Sequence, residues 1–267
     1  MSRLRRILAA VTAGCALLAA TAASAAGEQD LEAVARGVLA KYRGALVTVR
    51  LTVKVRMVFQ GKEQGSREST SEISGTVLTP AGLTVVSESS SDPGGPSRSS
   101  RRDFESDVTD VKLVLQDGRE VAAQFVLRDR DLDLAFVLPS EAGLKLPYVP
   151  FEHDASVQPL DDLIQLSLLG KAHNREVAVS IGKVQAVLTK PRTLLAIDLV
   201  NGLRSLGCPA FSAKGEPVGL VVLKPAPEGS ASPEGLRDML DLMQPFVIPA
   251  ADVRELAAQA EVKKPNP

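Results

Sequence analysis

The stretch SGTVLTPAGLTVVS, residues 74–87, predicts two short β-strands joined by a tight turn. Apolar residues flank the tetrapeptide Thr79-Pro80-Ala81-Gly82 on both sides. Proline at the second turn position and glycine at the last fit a type I turn, because the proline ring holds φ at about −65°. The stretch therefore predicts an antiparallel hairpin.

The residues before this hairpin predict another strand and a helix. Residues 46–59 (LVTVRLTVKVRMVF) alternate between apolar and polar side chains, which predicts a long strand with one buried and one solvated face. Residues 60–71 are polar and predict a turn. Residues 30–42 carry apolar side chains at helical spacing and predict a short amphipathic helix.

The residues after the hairpin repeat the pattern of short strands. Strands are predicted at 111–115, 121–127, 132–138, 163–168, 178–188, 193–198, 210–212 and 218–223. A polar surface loop is predicted at 88–107, a second loop at 224–236, and helices at 236–243 and 250–261. Many short strands separated by turn signals predict an all-β fold, and two such sets predict two packed barrels.

The first residues predict a secretory signal peptide. Arg3, Arg5 and Arg6 precede an apolar run over 7–20, and Ala23-Ser24-Ala25 follows as a small-residue cleavage site. We therefore expect a secreted or periplasmic protein, with an uncleaved membrane anchor as the alternative. Cleavage would remove Cys15 and leave a single cysteine. The net charge of −1 gives no field that would attract nucleic acid, and no such partner is expected.

The expected organisation follows from these patterns. We predict a signal peptide at 1–25, an N-terminal helix and first barrel over 26–139, and a proline-punctuated connection over 140–158. A second barrel with a C-terminal helix follows over 159–262, and a tail at 263–267. No membrane span is expected after signal cleavage.

Seven segments of the chain carry a resemblance to a known family. They are SGTVLTPAGLTVVS (74–87), LQDGR (115–119), DRDLDLAFVL (129–138), LPYVPF (146–151), AVSIGKVQAV (178–187), GEPVGL (215–220) and FVIP (246–249). In this order and spacing they resemble the protease domain of the HtrA/Deg branch of trypsin-like serine proteases. The resemblance implies two packed six-stranded antiparallel β-barrels, with short terminal helices and an active site in the cleft between the barrels. Since the chain ends at Pro267, we expect none of the PDZ domains that usually follow in that family.

The resemblance also assigns the positions of a catalytic triad. The position of the family's histidine falls on Ser89, that of its aspartate on Asp133, and that of its nucleophilic serine on Leu206. A serine hydroxyl is no base near neutral pH, and a leucine is no nucleophile. We therefore expect these three to be vestigial triad positions, with no intact catalytic residue.

The loop that would form the oxyanion hole also departs from the family. Its positions fall on Arg204, Ser205 and Gly207, where Arg204 replaces a glycine. Asp198 matches an aspartate of the family and supports the alignment.

Three other groups of residues carry nucleophilic, metal-binding or basic side chains. Ser205 or Cys208 would be a nucleophile in a rebuilt hydrolase site, which would require His153 or His173 as the base. The run Glu152-His153-Asp154 lacks metal-ligand spacing, and no metal or cofactor is expected. The basic residues Arg98, Arg101 and Arg102 are interpreted as a solvated loop.

The expected function is binding of a peptide or protein ligand by a catalytically inactive protease homologue, for which strand addition to a sheet edge is a known mode. Two alternatives remain: an active serine-type hydrolase with a rebuilt site, and a structural protein of the cell envelope.

Overall fold

The computed structural model describes residues 30–59, 62–91, 104–223, 240 and 243–262. The predicted signal peptide, the tail and the predicted loop at 224–236 lie outside these ranges. So do residues 92–103 of the predicted loop at 88–107 and all but two residues of the predicted helix at 236–243.

The described residues form thirteen strands and four α-helices. Helix α1 covers residues 30–42, as predicted. The first-half elements are β1 (Leu46–Phe59), β2 (Lys62–Val77), β3 (Thr84–Ser87), α2 (Glu88–Ser91), β4 (Phe104–Val114), β5 (Glu120–Asp129) and β6 (Leu134–Pro139). The second-half elements are β7 (Asp162–Leu168), β8 (Val177–Lys183), β9 (Ala186–Leu188), β10 (Leu194–Ala196), α3 (Leu199–Arg204), β11 (Pro209–Ser212), β12 (Pro217–Leu223), β13 (Pro245–Pro249) and α4 (Ala250–Val262). Short 3-10 helices occupy Arg43–Ala45 and Lys171–His173.

The first half is a closed antiparallel barrel in the order β1-β2-β3-β6-β5-β4. The predicted hairpin is confirmed: the amide of Leu78 donates to the carbonyl of Leu83 at 2.7 Å, and the amide of Gly82 donates to that of Thr79 at 2.9 Å. The predicted strand over 46–59 is β1. Its apolar residues face the barrel core, since Val47, Val49, Leu51 and Val53 are buried.

Two polar segments of the first half differ from the prediction. The turn predicted at 60–71 is wrong from Lys62 onward, because β2 pairs with β1 from Phe59 opposite Lys62. The side chains of residues 65–71 are exposed, so this part of β2 has no alternation of apolar and polar residues. Backbone hydrogen bonds to β1 are what make it a strand. The loop predicted at 88–107 is also wrong at its ends, where α2 and the start of β4 lie.

The second half is an antiparallel sheet in the order β8-β7-β11-β12-β13-β10-β9. Its two end strands, β8 and β9, are separated by Val184 and Gln185 alone, and together they cover the single strand predicted at 178–188. Because β8 pairs with β7 and β9 pairs with β10, this one stretch connects both ends of the sheet. Counted as one bent strand, it gives the six strands that the resemblance implies. The prediction of a double-barrel, all-β fold is confirmed, and β13 is a strand that pattern alone did not predict.

Both terminal helices pack across the molecule. Helix α1 precedes the first barrel in sequence but contacts the second half, where the ring of Tyr42 stacks on that of Phe211 at a centroid distance of 5.0 Å. Helix α4 contacts β12 and β13 and also β5 and β6 of the first barrel. One apolar cluster therefore spans both halves, and the relative position of the two barrels is held by packing.

Polar contacts from β2 add to this packing. Glu72 accepts two hydrogen bonds from the guanidinium of Arg175 in the second half, at 2.7 and 3.1 Å. Four residues further along β2, the Thr76 hydroxyl donates to the carbonyl of Gly207 at 2.7 Å. Gly207 has a φ of +75°, and a Cβ on it would lie 2.4 Å from the carbonyl oxygen of Ser74. The segment around Gly207 therefore fits against β2 because residue 207 has no side chain.

We predict that Glu72→Gln lowers the free energy of unfolding by about 1 kcal/mol at neutral pH and low salt, because the amide loses the charge that binds Arg175. Hydrogen bonds from Arg175, and also from Arg50, lower the pKa of Glu72. The contribution of Glu72 is therefore fully present above the pKa of an unfolded glutamate, about 4.3, and is lost as the pH falls through the lower folded value.

Urea unfolding at pH 7 and at pH 3 tests this prediction. The difference between wild type and variant should shrink at pH 3. The control is Glu141→Gln, whose exposed ion pair with Arg119 at 3.2 Å does not involve the second half. An equal effect of the two substitutions would contradict a role for Glu72 between the halves.

Candidate functional site

The candidate site is built around a buried carboxylate that accepts hydrogen bonds from both halves. Asp133 is 1% exposed. Its Oδ2 accepts from the hydroxyl of Ser87 at 2.6 Å and from the amide of Leu223 at 2.9 Å. Its Oδ1 accepts from the amide of Ser89 at 2.5 Å. Ser87 ends β3 of the first barrel and Leu223 ends β12 of the second, so the carboxylate lies where the two halves meet.

The environment of Asp133 has opposing effects on its ionisation. Burial raises the pKa of Asp133, and the three donors offset part of that rise. The residue has a φ of 54°, in the left-handed region that aspartate tolerates better than most residues. Its carbonyl accepts from the amide of Glu88 at 2.9 Å, which ties the backbone of Asp133 to the start of α2.

Helix α2 places Ser89 beside this carboxylate. The hydroxyl oxygen of Ser89 lies 3.0 Å from that of Ser87, so a short chain of hydroxyls leads from Ser89 to Asp133. The buried carboxylate of Glu88 accepts from Arg128 at 2.7 Å and from the hydroxyl of Ser91 at 3.0 Å. These contacts anchor α2. The structure therefore brings Ser89 and Asp133 together, as a base and its orienting carboxylate would have to be.

Helix α3 precedes Leu206. Asp198 is its N-cap and accepts from the amide of Asn201 at 3.0 Å. Arg204 is in its last turn, where backbone amides point along the helix axis toward preceding carbonyls. The amide of Ser205 donates to the carbonyls of Asn201 and Gly202, at 3.1 and 3.0 Å. The amides of Arg204 and Ser205 are therefore engaged by helix geometry.

Leu206 and Gly207 follow the helix directly. The half-buried side chain of Leu206 packs against the apolar core of the second half. Gly207 contacts β2, with its amide donating to the carbonyl of Val221 at 2.8 Å. The position that the resemblance assigns to a nucleophile is thus occupied by an aliphatic side chain.

The two alternative nucleophiles are both buried. Ser205 is 1% exposed, and its hydroxyl donates to the carbonyl of Asn201 at 2.8 Å. Cys208 is fully buried, and burial raises the pKa of its thiol to about 12. His153 and His173 are exposed, in the connection and in a 3-10 helix of the second half. The hydrogen bonds of Asp133 involve neither histidine.

The run Glu152-His153-Asp154 is on the surface: all three residues are exposed, and Asp154 pairs with Arg254 at 3.3 Å. Within the described ranges, no three potential ligands are grouped as a metal site would require. No helix in the same ranges has the length and apolar character needed to span a bilayer. Arg98, Arg101 and Arg102 lie outside the described residues.

Sequence reasoning missed three partners of this site. Ser87 ends the hairpin strand two residues before Ser89, and a hydroxyl so close in sequence to the assigned histidine position was a usable signal. Leu223 contributes its backbone amide, and because almost every residue type has such an amide, the sequence does not indicate this contact. The pairing of Glu88 with Arg128 joins residues 40 apart in the chain, and no local pattern indicates it.

Comparisons with known proteins give a fold and no closer assignment. No family model matches the chain, and no curated protein matches its sequence. Two solved structures of the HtrA-type protease AlgW, each with a decapeptide, are similar in fold. A Ser→Ala variant of AlgW has 15% identity and a TM-score of 0.57, over 86% of this chain and 67% of that chain. AlgW itself has 14% identity and a TM-score of 0.56, over 85% of this chain and 67% of that chain. The likeness shows the trypsin-like fold of HtrA-type proteases, as predicted.

We predict that Asp133→Asn lowers the free energy of unfolding by about 2 kcal/mol at pH 7, because an amide group would face at least one backbone N–H that now donates to the carboxylate. Burial raises the pKa of Asp133, so the protonated carboxyl stabilises the folded state, and this contribution is fully present below the unfolded pKa of about 3.9. That contribution is lost as the pH rises through the folded value. The difference between wild type and variant should therefore be larger at pH 4 than at pH 7.

Chemical denaturation at the two pH values measures both effects. The matched control is Asp117→Asn in an exposed turn, where Oδ1 accepts from the amide of Arg119 at 2.9 Å. That substitution should change stability by less than about 0.5 kcal/mol. A neutral effect at Asp133 would show that its three donors do not hold the halves together.

Proposed function

We propose that this chain is an exported, catalytically inactive trypsin-like protein that binds an extended peptide or protein segment. One observation carries the proposal: the buried carboxylate of Asp133 is bonded to the segment of Ser89, where a triad would have an imidazole. At the position assigned to the nucleophile, the chain has Leu206 in place of a hydroxyl.

The lack of a base and a nucleophile is the basis for catalytic inactivity. Loss of either group from such a triad reduces turnover by on the order of a million-fold. The alternative nucleophiles do not compensate for this loss. The Ser205 hydroxyl is bonded within its helix turn, and the thiol of Cys208 has a pKa of about 12, which keeps it protonated at neutral pH.

The character of the site supports binding. Ser89 is half-buried and offers a hydroxyl, while Leu206 and Val200 of α3 offer apolar surface, with Val200 57% exposed. Extended peptides bind by pairing their backbone with a sheet edge and placing alternate side chains in pockets. The AlgW structures of the same fold contain decapeptides, and we extend that mode of binding to this chain.

Export is the second part of the proposal. The basic start, apolar run and small-residue site over 1–25 support a cleaved signal and a secreted or periplasmic location. A ligand would then be an extracytoplasmic peptide or protein segment.

We predict that the purified mature protein neither hydrolyses casein nor reacts with a fluorophosphonate probe, because no hydroxyl in the described site is hydrogen-bonded to an imidazole. Mass spectrometry of the probe-treated protein is the measurement, with an active HtrA-type protease as the positive control. Labelling at Ser205 would overturn the assignment as an inactive homologue and favour the rebuilt hydrolase.

We predict that Leu206→Lys weakens binding of extended peptides about tenfold or more, because a charge replaces apolar surface at the centre of the site. Fluorescence anisotropy with a decapeptide library measures this, and thermal unfolding verifies that the variant is folded. The matched control is Leu160→Lys, at a leucine that is 75% exposed and lies two residues before β7. If no decapeptide binds the wild type, the binding function is wrong and a structural role is favoured.

A further inference from the structure

A cavity of about 220 Å³ lies where the two halves meet, apart from the residues around Asp133. Its lining combines Thr48 of β1 and Val114 of β4 with Asn174 and Arg175 of the second half. The turn between β4 and β5 completes the lining with exposed residues, so the cavity is open to solvent. This volume is several times what one water molecule occupies, and it suits one compact organic molecule.

The floor of the cavity is formed by the outer face of the first barrel. Val47 and Val49 point into the barrel core, so Thr48 between them points outward. The register places Thr48 opposite Val114 of β4. Both residues are 3% exposed although they face away from the barrel core, because the second half lies over this face. The floor therefore offers one hydroxyl and one aliphatic side chain.

The turn between β4 and β5 supplies two acceptors, each on a side chain that is already held in place. Nε2 of Gln116 donates to the carbonyl of Leu46 at 3.0 Å, which leaves Oε1 as an acceptor. Oδ1 of Asp117 accepts from the amide of Arg119 at 2.9 Å, which leaves Oδ2. Side chains held by one atom in this way lose little further freedom when the other atom binds a ligand.

The second half supplies a donor and a carboxamide from the opposite side. Arg175 donates from Nε and Nη2 to Glu72, which leaves Nη1 as a donor. Asn174 precedes it and adds a group that can both donate and accept. Asn174 and Arg175 have φ of 55° and 53°. Left-handed backbone is unfavourable for a residue with a long side chain, and such positions are concentrated at binding and active sites.

This lining favours a neutral molecule with several hydroxyl groups. An anion would face the carboxylate of Asp117, and a cation would face the guanidinium of Arg175. An aliphatic molecule would remove water from these groups without replacing its hydrogen bonds. A hydroxyl donates and accepts, so neighbouring hydroxyls can donate to Asp117 and Gln116 and accept from Arg175. The side chain of Val114 suits the C–H groups of the same molecule.

We propose that this cavity binds a neutral polyhydroxylated molecule about the size of a monosaccharide. The molecule contacts both halves and binds the folded chain, so it also raises the stability of the fold. The inference goes beyond the peptide-binding function and uses none of the residues assigned to it.

A titration of the mature protein followed by NMR tests the cavity directly. The probes are the methyl glycosides of glucose, galactose and mannose, together with myo-inositol. At least one of them should shift the backbone amide signals of Thr48, Gly118 and Asn174 until saturation. The comparisons are cyclohexanol, the cation glucosamine, the anion glucuronate and the zwitterion alanine. The best neutral probe should bind about tenfold or more tightly than each of these.

Two substitutions and a matched control locate the effect. Thr48→Val removes the hydroxyl at similar volume, and Asn174→Gly removes the carboxamide at a position whose backbone glycine tolerates. Each should weaken the best probe about threefold to tenfold, as expected for one lost hydrogen bond. Thr52→Val changes a half-buried threonine on the same face of β1, outside the lining, and should leave the affinity unchanged. The amide spectrum of each variant verifies that it is folded.

Three results would overturn the inference. They are no saturable shift with any neutral probe, binding of cyclohexanol or a charged comparison as tight as that of the best neutral probe, and unchanged affinity in both Thr48→Val and Asn174→Gly. The peptide-binding function is judged separately, because Leu206→Lys alters decapeptide binding and leaves the lining of the cavity intact.

Discussion

The carboxylate of Asp133 accepts hydrogen bonds from the Ser87 hydroxyl and the Ser89 amide of the first barrel and from the Leu223 amide of the second. Burying a carboxylate is unfavourable unless it is bonded in this way, and burial still raises the pKa of Asp133. The three donors come from the ends of two strands and from a helix turn. The carboxylate that a trypsin-like protease uses to orient an imidazole is therefore hydrogen-bonded here to segments of both barrels, and it links them.

The other parts of the site are positioned around the hydrogen bonds of Asp133. Helix α2 begins beside Asp133 and is held by Glu88 and Arg128. On the other side, β12 carries Val221, whose carbonyl accepts from the amide of Gly207. Gly207 in turn contacts β2 of the first barrel through Thr76. Buried contacts between the two halves therefore hold the backbone on both sides of the site. Close packing of this kind favours a rigid site over a mobile one.

The sequence predicted the fold well where side chains follow a period. The alternation over 46–59 gave β1 with its ends, and the proline and glycine of the turn at 79–82 gave the hairpin. It failed where backbone pairing is independent of residue type, as in the polar start of β2. The resemblance assigned triad positions to Ser89 and Asp133, which lie together in the structure. The donors to Asp133 came only from the structure, because an amide such as that of Leu223 has no residue-type signal.

The geometry of α3 shows how the backbone of this chain differs from what an oxyanion hole requires. Replacing a histidine and a serine removes two side chains and in principle leaves the backbone intact. Here Asp198 caps a helix whose last residue is Arg204, so the amide of Arg204, at the position of the family's donor glycine, lies in helical geometry. An oxyanion hole requires backbone N–H groups that point together at one oxygen, and amides engaged along a helix axis do not. The residue that marks the family's loop, Asp198, therefore starts a different local structure, and the departure extends from the side chains to the backbone.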